Sequence, residues 1–201
     1  MISAIWMPLH FVTNMAEGRL ILVVGPSGAG KDSLIEAAMA QLAQDQRFHF
    51  PKREVTRPSD AGGEDHIAVS EQDFAARQAA GGYALAWGAH GLHYGIPIAV
   101  IDLLANGDTV VINTSRTVIE TARATYRNLR IIYVIAPIAI LAQRIAARGR
   151  ESAEDVAQRL ARAVMSLPSG DDVVIITNDG SLEQALAAFI AALTHEPALT
   201  R

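Results

Sequence analysis

The sequence predicts an α/β protein with a parallel central sheet, and three observations support this fold class. Several apolar runs are short and β-branched and lack polar alternation, which is typical of strands buried on both faces of a parallel sheet. Segments with helical spacing of apolar residues separate these runs, so strands and helices alternate along the chain. A glycine-rich segment directly follows the first run and precedes the first helix. In such folds, ligands bind at the carboxyl ends of the strands.

The first predicted strand, RLILVVG at residues 19–25, leads through the glycine-rich segment into a helix over residues 32–44. The later elements follow from the same two patterns. The other predicted strands are 109–113, 130–136 and 172–177, and the other predicted helices are 98–105, 117–126, 138–147, 153–165 and 182–193. Residues 48–95 interrupt this rhythm and are richer in Gly, His and Arg. We interpret them as an inserted substrate-binding subdomain.

Composition limits the classes of function. The 201 residues, half of them hydrophobic, can bury one sizeable core, so we expect one domain. A net charge of −4 argues against nucleic acid as a partner. The absence of cysteine excludes disulfides and thiolate metal sites and suits a reducing compartment, so we expect a cytoplasmic protein. The longest apolar run is broken at Pro137 and is too short for a membrane span, so we expect no membrane partner.

The first 18 residues contain no Lys or Arg and therefore lack the basic region of a secretory signal. We interpret residues 1–18 as a mobile N-terminal extension, with Met15 as an alternative start just before the first strand. The domain is predicted to span residues 19–195, and residues 196–201 form a tail. The sequence leaves the oligomeric state open, with a homodimer as one option.

The segment GPSGAGKDS matches the phosphate-loop pattern G-x-x-x-x-G-K-[ST] up to its last position, where Asp32 replaces the hydroxyl residue. Glycines let successive N–H groups point at phosphate oxygens, and Lys31 can reach the β- and γ-phosphates. A glycine-rich turn without a ligand is the alternative. The predicted nucleotide-binding residues of this loop are Gly25, Pro26, Ser27, Gly28, Ala29, Gly30, Lys31, Asp32 and Ser33.

Asp32 is a candidate magnesium ligand. Many enzymes with this loop hold magnesium with a second carboxylate at the end of a neighbouring strand. Here the candidate strand TVVIN ends in the neutral Asn113. We therefore expect Asp32 to take over part of the metal-holding role, directly or through water, with Ser33 as the weaker candidate. Alternatively, Asp32 only stabilises the N-terminus of the helix.

Five segments resemble guanylate kinases in sequence and order: GPSGAGK, TRPSDAGGEDHIAVSEQDF, YALAWGAHGLHYG, RIAARGRESAEDVAQRL and ITNDGSLEQAL. The resemblance covers about residues 19–193. It implies a nucleoside-monophosphate-kinase-like three-layer fold with a lid at about residues 144–159. Within that superfamily, GPSGAGKDS, EDHIAVS and NTSR resemble the ribose 1,5-bisphosphate phosphokinase family of phosphonate metabolism. That family converts ribose 1,5-bisphosphate and ATP to 5-phosphoribosyl 1-diphosphate and ADP. The resemblance therefore implies ATP and Mg²⁺ as cofactors and a small-molecule pentose bisphosphate as substrate.

The resemblance also assigns an acceptor site. Guanylate kinases hold the acceptor phosphate with a serine, two arginines and two tyrosines, which correspond here to Arg53, Arg57, Asp60, His66 and Tyr94. This rearranged set suits a differently shaped acceptor, such as a sugar with two phosphates. The predicted substrate-binding residues are Arg53, Arg57, His66, Tyr94 and, after the strand that ends in Asn113, Arg116. Arg116 is alternatively a surface residue at a helix start.

The guanine-binding positions of the family have changed character. The glutamate before the tryptophan is replaced by Ala86, and the hydroxyl residue after Tyr-Gly is replaced by Ile96. Guanine requires a carboxylate that accepts hydrogen bonds from its ring N–H groups, and a pocket without such partners discriminates against it. We therefore expect the guanine pocket to be lost.

The resemblance assigns the lid arginines and an adenine contact. Arg148 and Arg159 are the predicted catalytic arginines beside Lys31, and Arg144 assists. The alternative is a solvated helix face on which these arginines pair with nearby carboxylates. Asn178 is expected near the adenine, whereas Ser181 or Asp179 alternatively caps the last helix.

Two other functions stay open. One is a different small-molecule kinase of the same fold, including a guanylate kinase. The other is a non-catalytic scaffold module of that fold, which the retained Lys31 and lid arginines argue against. The histidines of the inserted segment lack a carboxylate or thiol at ligand spacing, which argues against zinc.

Overall fold

The computed structural model describes residues 18–59, 65–89, 91–147 and 167–195. The strands are β1 (Arg19–Val24), β2 (Phe48–His49), β3 (Glu54–Val55), β4 (Ile67–Ala68), β5 (Tyr83–Ala89), β6 (Leu92–Pro97), β7 (Thr109–Asn113), β8 (Leu129–Ile135) and β9 (Val173–Thr177). The helices are α1 (Lys31–Gln41), α2 (Glu71–Ala79), α3 (Val100–Ala105), α4 (Ile119–Thr125), α5 (Ile138–Ala147) and α6 (Leu182–Thr194), and a 3₁₀ turn (Arg116–Val118) precedes α4. No helix among these described elements is long and apolar enough to cross a membrane.

Five strands form a parallel central sheet in the order β2-β7-β1-β8-β9. The strand β1 lies in the middle, and its residues Leu20 to Val24 are almost completely buried. Alternate β1 side chains contribute to the apolar cores on the two faces of the sheet. Burial on both faces explains why this strand reads as a continuous apolar run.

Each face of the central sheet is covered by its own core. On one face, Leu34 of α1, Leu141 of α5 and Phe189 of α6 pack against the sheet. On the other face, α4 and part of the second sheet supply Ile119, Trp87 and other apolar side chains. This three-layer arrangement confirms the predicted α/β fold with a parallel central sheet.

A second sheet of four strands has the order β4-β3-β6-β5. The long hairpin of β5 and β6 is antiparallel, and the short strand β3 pairs with β6 on its other side. Phe48 and His49, at the start of the predicted insertion, pair instead with β7 of the central sheet. The second sheet is therefore formed by residues 54–97.

Helix boundaries differ from the sequence prediction by up to three residues. The first helix ends at Gln41 instead of Gln44, and a 3₁₀ turn replaces the start of the helix predicted over residues 117–126. The geometry of caps and turns determines where a helix ends, and the periodicity of apolar residues does not predict that geometry. The predicted helix 153–165, most of the predicted lid, residues 1–17 and residues 196–201 lie outside the described residues.

Two arginines satisfy carbonyl groups at the C-terminal end of α6. The buried Arg130 of β8 donates from Nη1 to the carbonyl oxygens of Ala192 and His195 at 2.6 and 2.5 Å. Arg19 of β1 donates to the His195 carbonyl at 3.0 Å. Burial and the neighbouring Arg19 charge lower the pKa of Arg130. The two cations lie where the helix dipole is negative, so they lock the last helix against the sheet.

The first prediction concerns this helix end. Arg130→Met should lower the free energy of unfolding by about 2 kcal/mol, because the buried Ala192 carbonyl loses its charged donor and the His195 carbonyl loses one of two. The matched variant Arg19→Met removes a more exposed contact and should cost less than about 1 kcal/mol. Urea denaturation of both variants measures the difference. Equal losses in the two variants would show that burial of Arg130 does not set the strength of this contact.

Candidate active site

The glycine-rich loop between β1 and α1 lies at the carboxyl end of the central strand. Its carbonyl groups are committed to hydrogen bonds within the protein. Lys31 Nζ donates to the carbonyl oxygens of Gly25 and Pro26 at 3.0 and 3.1 Å, and the Gly30 carbonyl accepts from Leu34 N of α1. A loop that turns its carbonyls into the protein can present its N–H groups outward to an anion. The arrangement fits a phosphate ligand.

Two further loop carbonyls contact side chains from distant elements. The buried Asn178, directly after β9, donates from Nδ2 to the Ala29 carbonyl at 2.8 Å. Arg144 of α5 makes longer contacts, 3.4 Å to the Gly28 carbonyl and 3.3 Å to the Asn178 carbonyl. The predicted adenine contact of Asn178 thus remains a prediction, while the structure gives this amide a partner in the loop. Ser181 caps α6 by accepting from Gln184 N at 3.3 Å.

Gly30 is a position where the loop requires glycine. Its φ angle is +91°, a backbone conformation that residues other than glycine rarely adopt. A β-carbon at Gly30 would also lie less than 3.0 Å from Asn178 Nδ2. Both the backbone conformation and the close approach of Asn178 therefore exclude a side chain here.

Asp32 and Asn113 lie in direct contact. Asn113 Nδ2 donates to Asp32 Oδ1 at 2.6 Å, so the amide at the end of β7 orients the carboxylate at the start of α1. A carboxylate accepts at both oxygens, so Asp32 can still bind a cation through Oδ2. Within the described ranges, no three His, Asp or Glu side chains are grouped as a metal site. Among the described residues, Asp32 is thus a single carboxylate that would hold a cation, without a cluster of protein ligands around it.

One face of the second sheet carries a cation above two aromatic rings. Trp87 and Tyr94 are cross-strand partners, and their rings stack with centroids 5.4 Å apart and planes 6° apart. The guanidinium of the buried Arg53 lies 5.8 Å from the Trp87 centroid and 5.4 Å from the Tyr94 centroid. Aromatic faces stabilise a cation at this distance and hold its plane in place. Two predicted acceptor residues, Arg53 and Tyr94, are thereby brought together.

Arg57 and His66 form a second pair in this sheet region. His66 Nε2 is 3.1 Å from the Arg57 carbonyl, and His66 Nδ1 is 3.3 Å from Arg57 Nη2. A neutral His66 with its proton on Nε2 satisfies both contacts, because Nδ1 then accepts from the arginine. In the part of the chain that the structure describes, Arg57 Nε is buried without a hydrogen-bond partner. His66 therefore holds Arg57 through both of its ring nitrogens.

The opposite face of the second sheet carries a buried carboxylate. Glu54 accepts from Tyr83 Oη at 2.6 Å and pairs with Arg77 of α2. Burial and the neighbouring Glu54 raise the pKa of Tyr83. The Tyr83 ring lies so close to Gly95 that a β-carbon there would overlap it. These contacts fix β3 against β5, and so they fix which way Arg53 points.

The two positions at which the family is expected to bind guanine hold apolar side chains in the structure. Ile96 is completely buried in the apolar core, and Ala86 lies beside Trp87 on β5. Neither side chain offers an oxygen to a base. The predicted acceptor residue Arg116 donates from Nη1 to the Tyr133 hydroxyl at 3.2 Å, so it is directed into the molecule.

Several residues around the site were missed from the sequence. The sequence places Trp87 only beside Ala86 and Tyr133 only within a buried strand, and it assigns neither residue a contact with a predicted site arginine. Thr114, directly after β7, has a buried hydroxyl without a hydrogen-bond partner among the described residues. Its place at the carboxyl end of a strand was the signal that could have identified it. The predicted catalytic residues Arg148 and Arg159 lie outside the described residues.

A glycine-rich loop with a terminal lysine, placed between the central strand and first helix of a parallel sheet, defines the class of P-loop nucleotide-binding proteins. The guanylate kinase family model matches residues 17–196. The solved structure of guanylate kinase from Anaplasma phagocytophilum superposes with a TM-score of 0.66 at 17% identity, covering 92% of this chain and 89% of that one. The chain therefore belongs to the guanylate kinase family.

Sequence relatives indicate which members of this family the chain is similar to. Ribose 1,5-bisphosphate phosphokinase PhnN of Brucella melitensis is 44% identical over 91% of this chain and 95% of its own length. The bifunctional ribose 1,5-bisphosphokinase-thymidine phosphorylase of Cupriavidus pinatubonensis is 48% identical over 88% of this chain, which spans 29% of that larger protein. These relatives confirm the resemblance to the ribose 1,5-bisphosphate phosphokinases that the sequence motifs indicated.

The second prediction concerns the loop. Gly30→Ala should lower the affinity for inorganic tripolyphosphate at least about tenfold, because the new methyl group displaces Asn178 and strains the loop. Isothermal titration calorimetry measures the affinity. Gly81→Ala is the matched control, since its φ angle is +71° and no heavy atom lies within 4 Å of an added β-carbon. It carries a similar backbone strain of about 1–2 kcal/mol away from the loop. Equal affinities in the two variants would contradict the role of Gly30.

Proposed function

We propose that this protein transfers the γ-phosphoryl group of ATP to the 1-phosphate of ribose 1,5-bisphosphate, which yields 5-phosphoribosyl 1-diphosphate and ADP. The carrying observation is the 44% identity, over nearly the full length of both chains, to a relative named for phosphorylating this sugar. The site geometry supports the same reaction, since a phosphate loop and a separate cationic face occur in one domain.

The acceptor in this reaction is itself a phosphate, so its attacking oxygen is already anionic near neutral pH. No general base is then required, and catalysis depends on positioning and on neutralisation of charge. Arg53 and Arg57 are suited to bind the acceptor phosphates, because guanidinium groups match phosphate oxygens in pairs. Tyr94 supports Arg53 through its ring, His66 supports Arg57, and Arg116 is the further candidate at the end of β7.

The nucleotide side of the site is assigned to residues 25–33. The loop N–H groups and Lys31 hold the phosphates, and Lys31 exchanges its carbonyl contacts for phosphate oxygens. Arg148 and Arg159 are proposed to complete this charge neutralisation. Asp32 is proposed to hold Mg²⁺, which would offset the negative charge of the nucleotide phosphates.

Selectivity against GMP is proposed to arise from the base-binding positions. Ala86 and Ile96 supply no hydrogen-bond acceptor for guanine, and the cation above Trp87 and Tyr94 suits an anionic group. GMP remains the second candidate acceptor, because the family model that matches the chain is that of guanylate kinase.

The third prediction tests the acceptor. The purified protein with ATP and Mg²⁺ should phosphorylate ribose 1,5-bisphosphate, with kcat/KM for GMP lower by at least about 100-fold. A coupled assay of ADP release gives the rates, and phosphorus NMR identifies the diphosphate on C1 of the product. Lys31→Ala should lower turnover at least about 100-fold with either acceptor, which excludes a contaminating kinase.

Two results would contradict the proposal. Preference for GMP would assign the protein to the guanylate kinases in activity as well as in fold. ADP release with ribose 1,5-bisphosphate but without a C1 diphosphate would mean that water, or a different oxygen of the sugar, accepts the phosphoryl group.

The fourth prediction concerns the contact between Asp32 and Asn113. Asp32→Ser should raise the Mg²⁺ concentration required for half-maximal ATP binding about tenfold, because the charged ligand is lost. Asn113→Asp alone places two carboxylates in contact and should also impair binding at neutral pH. The double variant Asp32→Ser, Asn113→Asp moves the carboxylate to the strand end and should recover most of the loss. Calorimetric titration with ATP, without acceptor, measures all three.

Glu36→Gln is the matched control, because it removes an exposed carboxylate from the same helix. It should leave the Mg²⁺ requirement unchanged. A double variant that binds no better than its two single variants would show that the residues do not share one metal-holding role.

A further inference from the structure

We infer that Asn178 is a positioning residue of the phosphate loop, and that its side-chain amide acts on the loop backbone instead of reading the nucleotide base. The inference rests on the proposed function only in taking the loop as the nucleotide phosphate site. It assigns to Asn178 a role for the loop as a whole, independent of which acceptor is phosphorylated.

The first argument is the partner of the amide. Asn178 Nδ2 donates to the Ala29 carbonyl at 2.8 Å in a buried environment, and Asn178 is only 4% exposed. A buried carbonyl that loses its donor is costly, so this contact strongly favours one orientation of the Ala29–Gly30 peptide. In that orientation, the carbonyl faces β9 and the N–H of the same peptide unit faces away from it.

The second argument is the close approach of the two segments. The Asn178 amide occupies the space in which a β-carbon of Gly30 would lie. The loop and the residue after β9 are therefore in van der Waals contact. The left-handed φ of Gly30 and the position of Asn178 are two parts of one packing arrangement.

The third argument is how firmly Asn178 itself is held. Its backbone N–H donates to the Ile135 carbonyl at 2.7 Å, which extends the pairing of β8 and β9 by one residue. Its own carbonyl contacts Arg144 Nη1, which also contacts the Gly28 carbonyl. The backbone of Asn178 is thus anchored to the sheet, and Arg144 of α5 links it to the loop. The side-chain amide projects from this anchored backbone. An anchored donor can set loop geometry, whereas a mobile surface side chain cannot.

A role in positioning the loop and a role in reading the base predict different effects on ligand affinity. A residue that reads adenine affects ATP but not inorganic tripolyphosphate, which has no base. A residue that positions the loop affects both ligands by the same factor, because both bind through the same N–H groups.

The variants are Asn178→Ala, which removes the amide, and Asn178→Asp, which keeps its shape but replaces the donor by a second acceptor. We expect the affinities for ATP, GTP and tripolyphosphate to fall by a common factor of about 10 in Asn178→Ala, and by at least as much in Asn178→Asp. Calorimetry with each ligand, without acceptor, gives the factors. The ratio of ATP to GTP affinity should equal that of the wild type.

Ser181→Ala is the matched control, because it removes the side-chain cap at the N-terminus of α6 without touching the loop. It should lower thermal stability and leave all three affinities unchanged. Hydrogen exchange supplies a second readout, since the amides of residues 25–33 should exchange faster in Asn178→Asp than in the control.

Three outcomes would overturn the inference. They are a loss of ATP affinity with unchanged tripolyphosphate affinity, unchanged affinities for all ligands, and an equal loss in Ser181→Ala. Wild-type protein that binds neither ATP nor tripolyphosphate would contradict the proposed function together with the inference. Failure of the sugar bisphosphate as acceptor would leave the inference intact, because no acceptor is present in these measurements.

Discussion

The phosphate loop imposes a constraint on which much of the structure depends. A loop that presents its N–H groups to an anion must turn carbonyl groups into the protein, and each buried carbonyl then needs a donor. Here the donors come from α1, α5 and the end of β9, in the form of Lys31, Arg144 and Asn178. The order of the central sheet matters for this reason. With β1 in the middle, β8 next to it and β9 beyond β8, the carboxyl ends of these strands lie on the same side of the sheet as the loop.

The second sheet meets a different requirement. It must hold cationic side chains in place while no ligand is present to neutralise their charge. Arg53 lies above two stacked rings, where its charge is favourable even though it is buried. Glu54, the next residue, points to the other face and pairs with Arg77 and Tyr83. The alternation of strand residues thus separates the side that carries Arg53 from the side on which Glu54 is neutralised. The contacts of Glu54 hold β3 in place, and the proposed acceptor site lies on the side of Arg53.

The contact between Asp32 and Asn113 places one carboxylate and one amide side by side next to the loop. A magnesium phosphate site needs negative charge near the loop, but two adjacent carboxylates would repel each other. An amide at the strand end and a carboxylate at the helix start keep one charge and add a hydrogen bond that orients it. The helix N-terminus further stabilises the carboxylate at position 32. The magnesium role proposed for Asp32 is therefore compatible with a neutral residue at position 113.

The sequence by itself determined the features that depend on local pattern. Continuous apolar runs identify strands buried on both faces, and the spacing of Gly25, Gly30 and Lys31 identifies the loop, because both signals lie within a few residues. Even the relation of Asp32 to Asn113 was accessible, since the carboxyl ends of neighbouring parallel strands meet at one edge. Only the tertiary structure decided that Asn178 reaches the Ala29 carbonyl, 149 positions away, that Arg53 lies above the stacked rings of Trp87 and Tyr94, and that Arg116 turns towards Tyr133. Such contacts depend on which strands are neighbours and in which direction each side chain leaves its strand. Those two choices are made by the packing of the whole core, and no local stretch of sequence encodes them.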